Sequence, residues 1–391
     1  MRKQLTRSFS YDFLTPSLFP RPTLTAKFPA ASSLVARTQS MHSPRFVLFL
    51  ALSACSSGSL TRTAVTAPAA TDSITWHAAA ALPSGRDHHG TFITSRNDNA
   101  WLWVVGGNDY RRTFAEVWRA RIGADGIPGE WSTSKNLPNA RAGMGVAQTD
   151  QFVMLTGGMD SSQRKTADVL IAHIGGDGTL GAWIRGGVMP GPRFHHSTVI
   201  DGRYLYVVGG LEGSVSVPTV LRATLDKDGG IVRWDSLPPL PRPRSHNSIF
   251  VHGRSLYLVG GLDGNPAGPN TPLADVVRAP ILGDGTLGAW EEVGRMDHAY
   301  GTHATAVHDG AVWLFGGVED NARFVDVVLR APIAADGTVG PWVNVKPALP
   351  AARSHVHQAP VFRGRVYSTA GSNRRVVTGD VQVGTFVSRA R

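Results

Sequence analysis

The segment Tyr204-Leu-Tyr-Val-Val-Gly209-Gly210, an apolar run that ends in a glycine doublet, decides the fold because it recurs along the chain. A lone tryptophan recurs in step with it, and both are spaced 51 to 56 residues apart. A period of roughly 50 residues is typical of arrays in which each repeat is one four-stranded sheet. The doublets are Gly106-Gly107, Gly157-Gly158, Gly209-Gly210, Gly260-Gly261 and Gly316-Gly317, with Ala370-Gly371 as a degenerate sixth. The tryptophans are Trp76, Trp131, Trp183, Trp234, Trp290 and Trp342.

Each repeat has the same order of parts, which the third repeat shows in full. Strand a is Ser197–Ile200, strand b is Tyr204–Val208, strand c is Val220–Leu225 and strand d is Ile231–Trp234. Asp-Gly pairs separate strands c and d, and such pairs favour tight hairpin turns because they tolerate positive φ. These aspartates are Asp125, Asp177, Asp228, Asp284 and Asp336.

The two ends of the repeat region predict a closed ring. The last repeat ends in Val381–Phe386, followed by five residues and no strand d of its own. At the other end, Ser73-Ile-Thr-Trp76 is a strand d with no blade before it. If the N-terminal strand completes the last blade, no sheet edge is left open. The sequence therefore predicts an all-β fold, a six-bladed β-propeller over residues 73–391.

This pattern resembles the kelch-repeat superfamily, to which the central domain of galactose oxidase belongs, and the resemblance covers about residues 73–391. The segment Asp284-Gly-Thr-Leu-Gly-Ala-Trp290 is similar to secreted bacterial kelch-like proteins. The resemblance implies a propeller whose ligand face lies at the mouth of the central channel.

The front of the chain predicts export. Residues 41–54 combine a short basic start with an apolar core, and Leu52-Ser-Ala-Cys55 resembles a bacterial lipobox that ends in the lipidated cysteine. Residues 55–72 are small and polar and predict a flexible tether. We expect a lipid-anchored protein of the cell envelope, in the outer membrane because Ser56 follows the cysteine. Residues 1–40 precede the signal, and we interpret Met41 as the true start, with a real extension, disordered or a targeting segment, as the alternative. An ordinary secretory signal is the alternative.

Composition bears on two points, a nucleic-acid partner and an internal disulfide. The formal net charge is +10, but residues 1–54 contribute +6 of it, which leaves +4 for residues 55–391. The repeat region has no Lys/Arg-rich run, so we expect no nucleic-acid partner. Cys55 is the one cysteine of the chain, which excludes an internal disulfide.

Arginine and histidine recur just before strand a, and we number three ring positions there. Ring position 1 lies about sixteen residues before the glycine doublet and holds Arg86, Arg141, Arg193, Arg244, Tyr300 and Arg353. Ring position 2 lies two residues further and holds His88, Gly143, His195, His246, Thr302 and His355. Ring position 3 follows directly and holds His89, Met144, His196, Asn247, His303 and Val356, with His357 next in the last repeat.

These positions allow two interpretations. Five guanidinium groups near one axis would favour an anionic ligand through charge-assisted hydrogen bonds, and clustered imidazoles are groups that also bind metals. The alternative is that every blade repeats the same inter-blade hydrogen bonds. We take the arginines, histidines and Tyr300 of these positions as the candidate ligand-binding set, with no metal and no cofactor assigned. The variable b-to-c loops are a second candidate surface, because loops on a rigid scaffold commonly carry recognition.

The leading functional hypothesis is a non-catalytic binding module for a protein or glycan partner, with no catalytic residues. The alternative is an enzyme that acts on an acidic sugar, similar to kelch-type sialic acid mutarotases. Galactose oxidase chemistry needs a cysteine fused to a tyrosine beside copper. Because Cys55 lies in the signal, the sequence does not support that chemistry. Neither a pair of carboxylates nor a nucleophile triad has a signature in the ring positions.

Overall fold

The computed structural model describes residues 73–264, 270–320, 323–374 and 376–387. The segments 1–40, 41–54 and 55–72, with Cys55 and its lipobox, lie outside the described residues. Among the residues that are described, no helix has the length and apolar character needed to cross a bilayer.

Five four-stranded antiparallel sheets and the four long strands of a seven-stranded sheet follow the sequence repeat, and each of these six units is one blade. We number the blades 1 to 6 and give their strands from the axis outward. Blades 1 and 2 are Gly90–Arg96, Asn99–Val105, Val117–Ile122, Pro128–Thr133 and Gly145–Gln148, Phe152–Thr156, Asp168–His173, Ile184–Val188. Blades 3 and 4 are Ser197–Asp201, Tyr204–Val208, Val220–Leu225, Ile231–Leu237 and Ser248–His252, Ser255–Val259, Thr271–Pro280, Glu291–Gly301. Blades 5 and 6 are Ala304–His308, Ala311–Phe315, Val328–Pro332, Val343–Asn344 and Val361–Phe362, Arg365–Thr369, Val381–Val387, Ser73–Ala79.

The b-to-c loops contain short two-residue strands. They pair with one another or with the long strands of blade 4. These strands are Leu211–Glu212, Val215–Ser216, Leu262–Asp263, Val318–Glu319, Arg323–Phe324, Ser372–Asn373 and Val376–Val377.

Blade 6 confirms the predicted closure. Ser73–Ala79 pairs antiparallel with Val381–Val387, so the N-terminal strand is the outermost strand of the last blade. The indole of Trp131 in blade 1 donates a 2.8 Å hydrogen bond to the carbonyl of Ala80, directly after that strand. The same contact recurs where Trp234 binds the carbonyl of Val188. Trp290 also donates to the carbonyl of Pro238, so the repeating tryptophan of blades 1, 3 and 4 contacts the outer strand of the preceding blade or the residue directly after it.

The hydrophobic core consists of six clusters, one at each interface between neighbouring blades. Successive residues of strand b point to opposite faces of the sheet. In blade 3, Leu205 and Val207 pack toward blade 2, while Tyr206 and Val208 pack toward blade 4. Both faces of strand b are thus buried, which explains its unbroken apolar run.

Candidate functional site

The glycine doublets form a closed circle of backbone hydrogen bonds. The amide of the second glycine of each blade donates to the carbonyl at ring position 1 of the next blade, at 2.7–2.9 Å. Gly371 of blade 6 completes the circle by donating to the carbonyl of Arg86 in blade 1. The doublet needs glycine because a Cβ on Gly107, whose φ is +92°, would lie 2.7 Å from the carbonyl oxygen of Asp87.

The arginines at ring position 1 make internal contacts. All five are at most 2% exposed. In each, Nη1 donates to the carbonyl of the first residue of its own blade's glycine doublet, at 2.9–3.2 Å. Arg244 adds a bidentate pair with Asp275 at 3.0 and 2.8 Å. Burial lowers the pKa of Arg86 to about 10. These side-chain contacts lie within single blades, whereas the contact between blades at ring position 1 is made by the backbone carbonyl.

Acidic partners accompany most of these arginines. Arg141 faces Asp168 at 3.9 Å, and Arg193 and Arg353 contact Glu212 and Asp380. Tyr300 takes the place of arginine in blade 5. Burial raises the pKa of its phenol to about 12, so that blade carries a neutral group at ring position 1.

Ring position 2 forms a second closed circle, which runs in the opposite sense. Each of its amides donates to the ring position 2 carbonyl of the preceding blade, at 2.8–3.2 Å. Gly143 donates to His88, for example, and His88 closes the circle by donating to His355. All six residues adopt left-handed backbone conformations with φ between 51° and 64°. Histidine is among the few non-glycine residues enriched in that conformation.

The histidines of ring position 2 meet at the axis. The ring centroids of His88 and His195 are 4.6 Å apart, those of His195 and His246 are 3.9 Å apart, and those of His88 and His355 are 4.2 Å apart. His357 lies 5.7–6.4 Å from these four rings. We call these five residues the axial histidine cluster.

Gly143 makes room for this cluster. A Cβ at Gly143 would lie 2.6 Å from Cδ2 of His195. The two ring position 2 residues without an imidazole, Gly143 and Thr302, belong to blades 2 and 5, which are opposite in the order of the ring. The sequence breaks at these two blades therefore set the number of imidazoles that fit around the axis.

Polar partners orient three of the axial rings from outside. Nδ1 of His88 lies 2.8 Å from the carboxylate of Asp87, which also accepts a 2.6 Å hydrogen bond from the Tyr110 hydroxyl. Nδ1 of His246 and of His355 lie 2.9 Å from the hydroxyls of Ser245 and Ser354. Burial alone would raise the pKa of Asp87, but the charge and hydrogen bond of His88 hold it below its ordinary value.

Burial keeps most of the cluster neutral. Desolvation, followed by the neighbouring imidazoles, holds the pKa of His195, His246 and His357 well below the ordinary value. Burial next to His88 lowers the pKa of His355 to about 3. The lone pairs of these imidazoles are therefore not protonated at neutral pH.

The histidines at ring position 3 lie apart from the cluster. Nε2 of His89 lies 3.0 Å from the Thr369 hydroxyl, and Nε2 of His196 lies 2.8 Å from the Thr156 hydroxyl. His303 is fully buried. Burial lowers the pKa of each of these three histidines to about 3. The structure thus separates adjacent histidines into an axial group and a group packed between blades.

The central channel leads to the axial cluster. A cavity of about 470 Å³ is lined by the innermost strands of all six blades. His357 lines this cavity and also belongs to the axial cluster.

The b-to-c loops surround the same end of the propeller. In five blades the residue after the doublet pairs with the residue after ring position 1, as Asn108 does with Asp87 and Ser372 with Ser354. The Tyr110 hydroxyl also lies 3.2 Å from the Ser372 hydroxyl, which joins the loops of blades 1 and 6. The bases of the variable loops are thus fixed to the ring.

Asp87, beside the cluster, and His357, a member of it, were outside the candidate set. Asp87 orients His88, and its signal was an acid next to a ring histidine. His357 follows ring position 3, in the repeat whose spacing to its doublet is seventeen rather than sixteen residues. That extra residue was the signal that another side chain reaches the axis there.

No family model matches the chain. It is 28% identical over 136 residues to beta-scruin of Limulus polyphemus, which covers 34% of this chain and 14% of that protein. It is 25% identical over 167 residues to Kelch-like protein 15 of Danio rerio, with coverages of 40% and 25%. It is 27% identical over 189 residues to Kelch repeat protein M-T8 of Myxoma virus, with coverages of 48% and 34%. The match thus spans about a third or less of each of these relatives. Together with the glycine doublets and the six blades, these similarities identify the chain as a kelch-repeat β-propeller.

Proposed function

We propose that this propeller is a non-catalytic binding module that holds a protein partner on the face formed by its b-to-c loops. The observation that carries the proposal is the attachment of variable loops to the rigid double circle of hydrogen bonds. Such a base holds the loop tips in place, which lowers the ordering cost of binding. The similarity to proteins named for kelch repeats supports a module of this kind.

The loops of blades 1 and 6 form the strongest part of this face. They expose Arg111, Arg112 and Arg374 next to the Tyr110 contact that joins the two loops. Among the described residues, no ion pair joins Arg111 or Arg374 to an acid. Arginine is enriched among the residues that dominate binding at protein interfaces. The exposed arginines of these two loops fit a protein partner with an acidic surface.

A glycan partner and the acidic-sugar enzyme have less support. Both would use the arginines of ring position 1 at the mouth. Those guanidinium groups are buried and already have partners within the protein, as Arg244 donates to the carbonyl of Gly260 and the carboxylate of Asp275.

Charge reversal on the loops tests the protein-binding proposal. The full chain carrying Arg111→Glu and Arg374→Glu is compared with a control that carries Arg203→Glu and Lys227→Glu, two exposed residues in the turns at the opposite end of blade 3. Each chain is immobilised, and the envelope proteins that it captures are quantified. We expect the loop variant to lose the partner that the unmodified chain and the control retain. Equal capture by both variants would remove the loop face as the binding surface.

We also propose that the protein is exported and held in the cell envelope, in the outer membrane, by a lipid on Cys55. The lipobox Leu52-Ser-Ala-Cys55 and Ser56 support this proposal. Labelling cells with a radioactive fatty acid tests it: the unmodified protein should incorporate label and Cys55→Ser should not. Label on both proteins, or on neither, would contradict lipidation at that residue.

A further inference from the structure

The axial histidine cluster contains three imidazoles at the spacing of metal ligands. One ring nitrogen each from His88, His195 and His246 lies within 4.8 Å of the other two. The three residues are 8%, 7% and 1% exposed. They come from blades 1, 3 and 4, so the ring closure of the fold, and not a local motif, brings them together.

Two of these imidazoles carry buried nitrogens with no protein partner. Nε2 of His88 and Nδ1 of His195 are buried and make no hydrogen bond within the described part of the chain. Nε2 of His357, at the edge of the same cluster, is a third such atom. Buried polar atoms usually have partners, and their absence at one site calls for a ligand or an ion.

The arrangement around His88 matches the second layer of a metal site. A metal-binding histidine usually gives its other ring N–H to a carboxylate, which fixes the ring and its tautomer. The carboxylate of Asp87 accepts from Nδ1 of His88 in this way at 2.8 Å, and in the neutral imidazole this leaves the lone pair on Nε2. The Tyr110 hydroxyl in turn holds Asp87.

The chemistry of the donors selects a class of metal. Imidazole nitrogen suits Zn²⁺, Ni²⁺ and Cu²⁺, whereas Mg²⁺ and Ca²⁺ prefer oxygen ligands. Metal binding needs an unprotonated nitrogen on each imidazole. Zn–N bonds of about 2.0–2.1 Å place tetrahedral nitrogens about 3.4 Å apart. A small inward shift of the rings is therefore enough to close the site.

We propose that His88, His195 and His246 bind one divalent transition-metal ion, of the zinc class, on the propeller axis. The central channel supplies the entry path, because His357 lies both in the wall of the 470 Å³ cavity and beside the three rings. Asp87 is a positioning residue that acts through His88. This site is independent of the loop face, so each can fail without the other.

Calorimetric titration of the full chain, without a histidine tag and after chelator treatment, tests the site with Zn²⁺ alone. We expect one saturable site per chain. His88→Asn, His195→Asn and His246→Asn should each weaken zinc affinity by more than the roughly 10- to 100-fold that loss of an outer-layer partner causes. Asn is chosen because it tolerates the left-handed conformation of ring position 2. Asp87→Asn should weaken affinity by roughly 10- to 100-fold.

The matched control is His173→Gln, which changes an exposed histidine and should leave zinc affinity unchanged. A second measurement needs no variant: Co²⁺ bound to the unmodified chain should show the visible absorption of cobalt with nitrogen ligands, and Zn²⁺ should abolish it. Absence of a saturable zinc site, absence of this spectrum, or unchanged affinity in folded variants of all three histidines would overturn the proposal.

Discussion

The amide of Gly371 donates a 2.9 Å hydrogen bond to the carbonyl of Arg86, and this contact joins the last blade to the first. The other five contacts of the same circle join blades that follow one another in sequence. Closure therefore brings residues 285 positions apart into the same contact that neighbouring repeats make.

The closing strand should contribute strongly to stability. Ile74 is fully buried in the cluster between blades 5 and 6. Ile74→Ala should lower the free energy of unfolding by about 2–5 kcal/mol, because it removes apolar contacts and leaves a cavity. Urea denaturation measures this change. Val232→Ala, at a residue that is 61% exposed, is the control and should have little effect. Equal effects would mean that the N-terminal strand adds no stability to blade 6.

The second glycine of a doublet should not tolerate a side chain. Gly107→Ala places a Cβ 2.7 Å from the Asp87 carbonyl and 2.8 Å from Cβ of His89. Gly202→Ala is the matched control, because Gly202 also has positive φ but no atom within 4 Å of an added Cβ. The control should lose about 1–2 kcal/mol from its backbone conformation alone. A drop in thermal midpoint no larger for Gly107→Ala than for Gly202→Ala would contradict the packing role of the doublet.

The buried ion pair of blade 4 should be costly to break. Arg244→Met leaves the carboxylate of Asp275, which is 6% exposed, without its bidentate partner. We expect a loss of about 3–5 kcal/mol, and partial recovery in Arg244→Met with Asp275→Leu. Arg295→Met breaks an exposed pair with Glu292 and should cost about 1 kcal/mol or less. Chemical denaturation of the unmodified chain and the three variants measures these free energies of unfolding. A loss in Arg244→Met as small as that in Arg295→Met would refute the prediction.

The free energy of unfolding should fall as the pH is lowered, and the fall should begin near the ordinary histidine pKa. Burial lowers the pKa of His89, His196, His303 and His355 to about 3, while the unfolded chain binds these protons near pH 6.5. The unfolded state therefore holds more protons between about pH 6.5 and 3, so stability rises with pH across that range and is complete above it. Each such histidine adds a slope of at most about 1.4 kcal/mol per pH unit.

His303→Asn tests this directly, because Asn247 occupies ring position 3 in blade 4. The free energy of unfolding of the variant should depend less steeply on pH between about pH 6 and 4 than that of the unmodified chain. The difference in slope corresponds to at most one bound proton. Urea midpoints at several pH values measure the slope. An identical slope in His303→Asn would show that His303 does not titrate between the two states.

The repeats predicted the blades because the signals that mark them are local. The Asp-Gly turns, the apolar strand b and the orphan strand at Trp76 each needed only a few adjacent residues. The Asp-Gly prediction extends to tertiary contacts, since the Tyr206 hydroxyl donates to the carbonyl of Gly285 in the next blade.

The sequence did not show that the three ring positions have different structural roles. Adjacent residues such as His88 and His89 have different roles only because the first adopts a left-handed conformation, which turns its side chain to the axis. A one-residue pattern of arginine and histidine contains no such information. The arginines grouped correctly as a ring, but whether a guanidinium faces the channel or a neighbouring carbonyl depends on the position of the glycine doublet in space.

The circle at ring position 2 is homodromic: every one of its amides donates in the same rotational sense, from Gly143 to His88 and finally from His88 to His355. The six amides and six carbonyls of this circle already satisfy one another. Discrimination among ligands there rests with side chains, and exchange of residues at ring position 2 changes the axial chemistry without altering the main-chain circle that supports it.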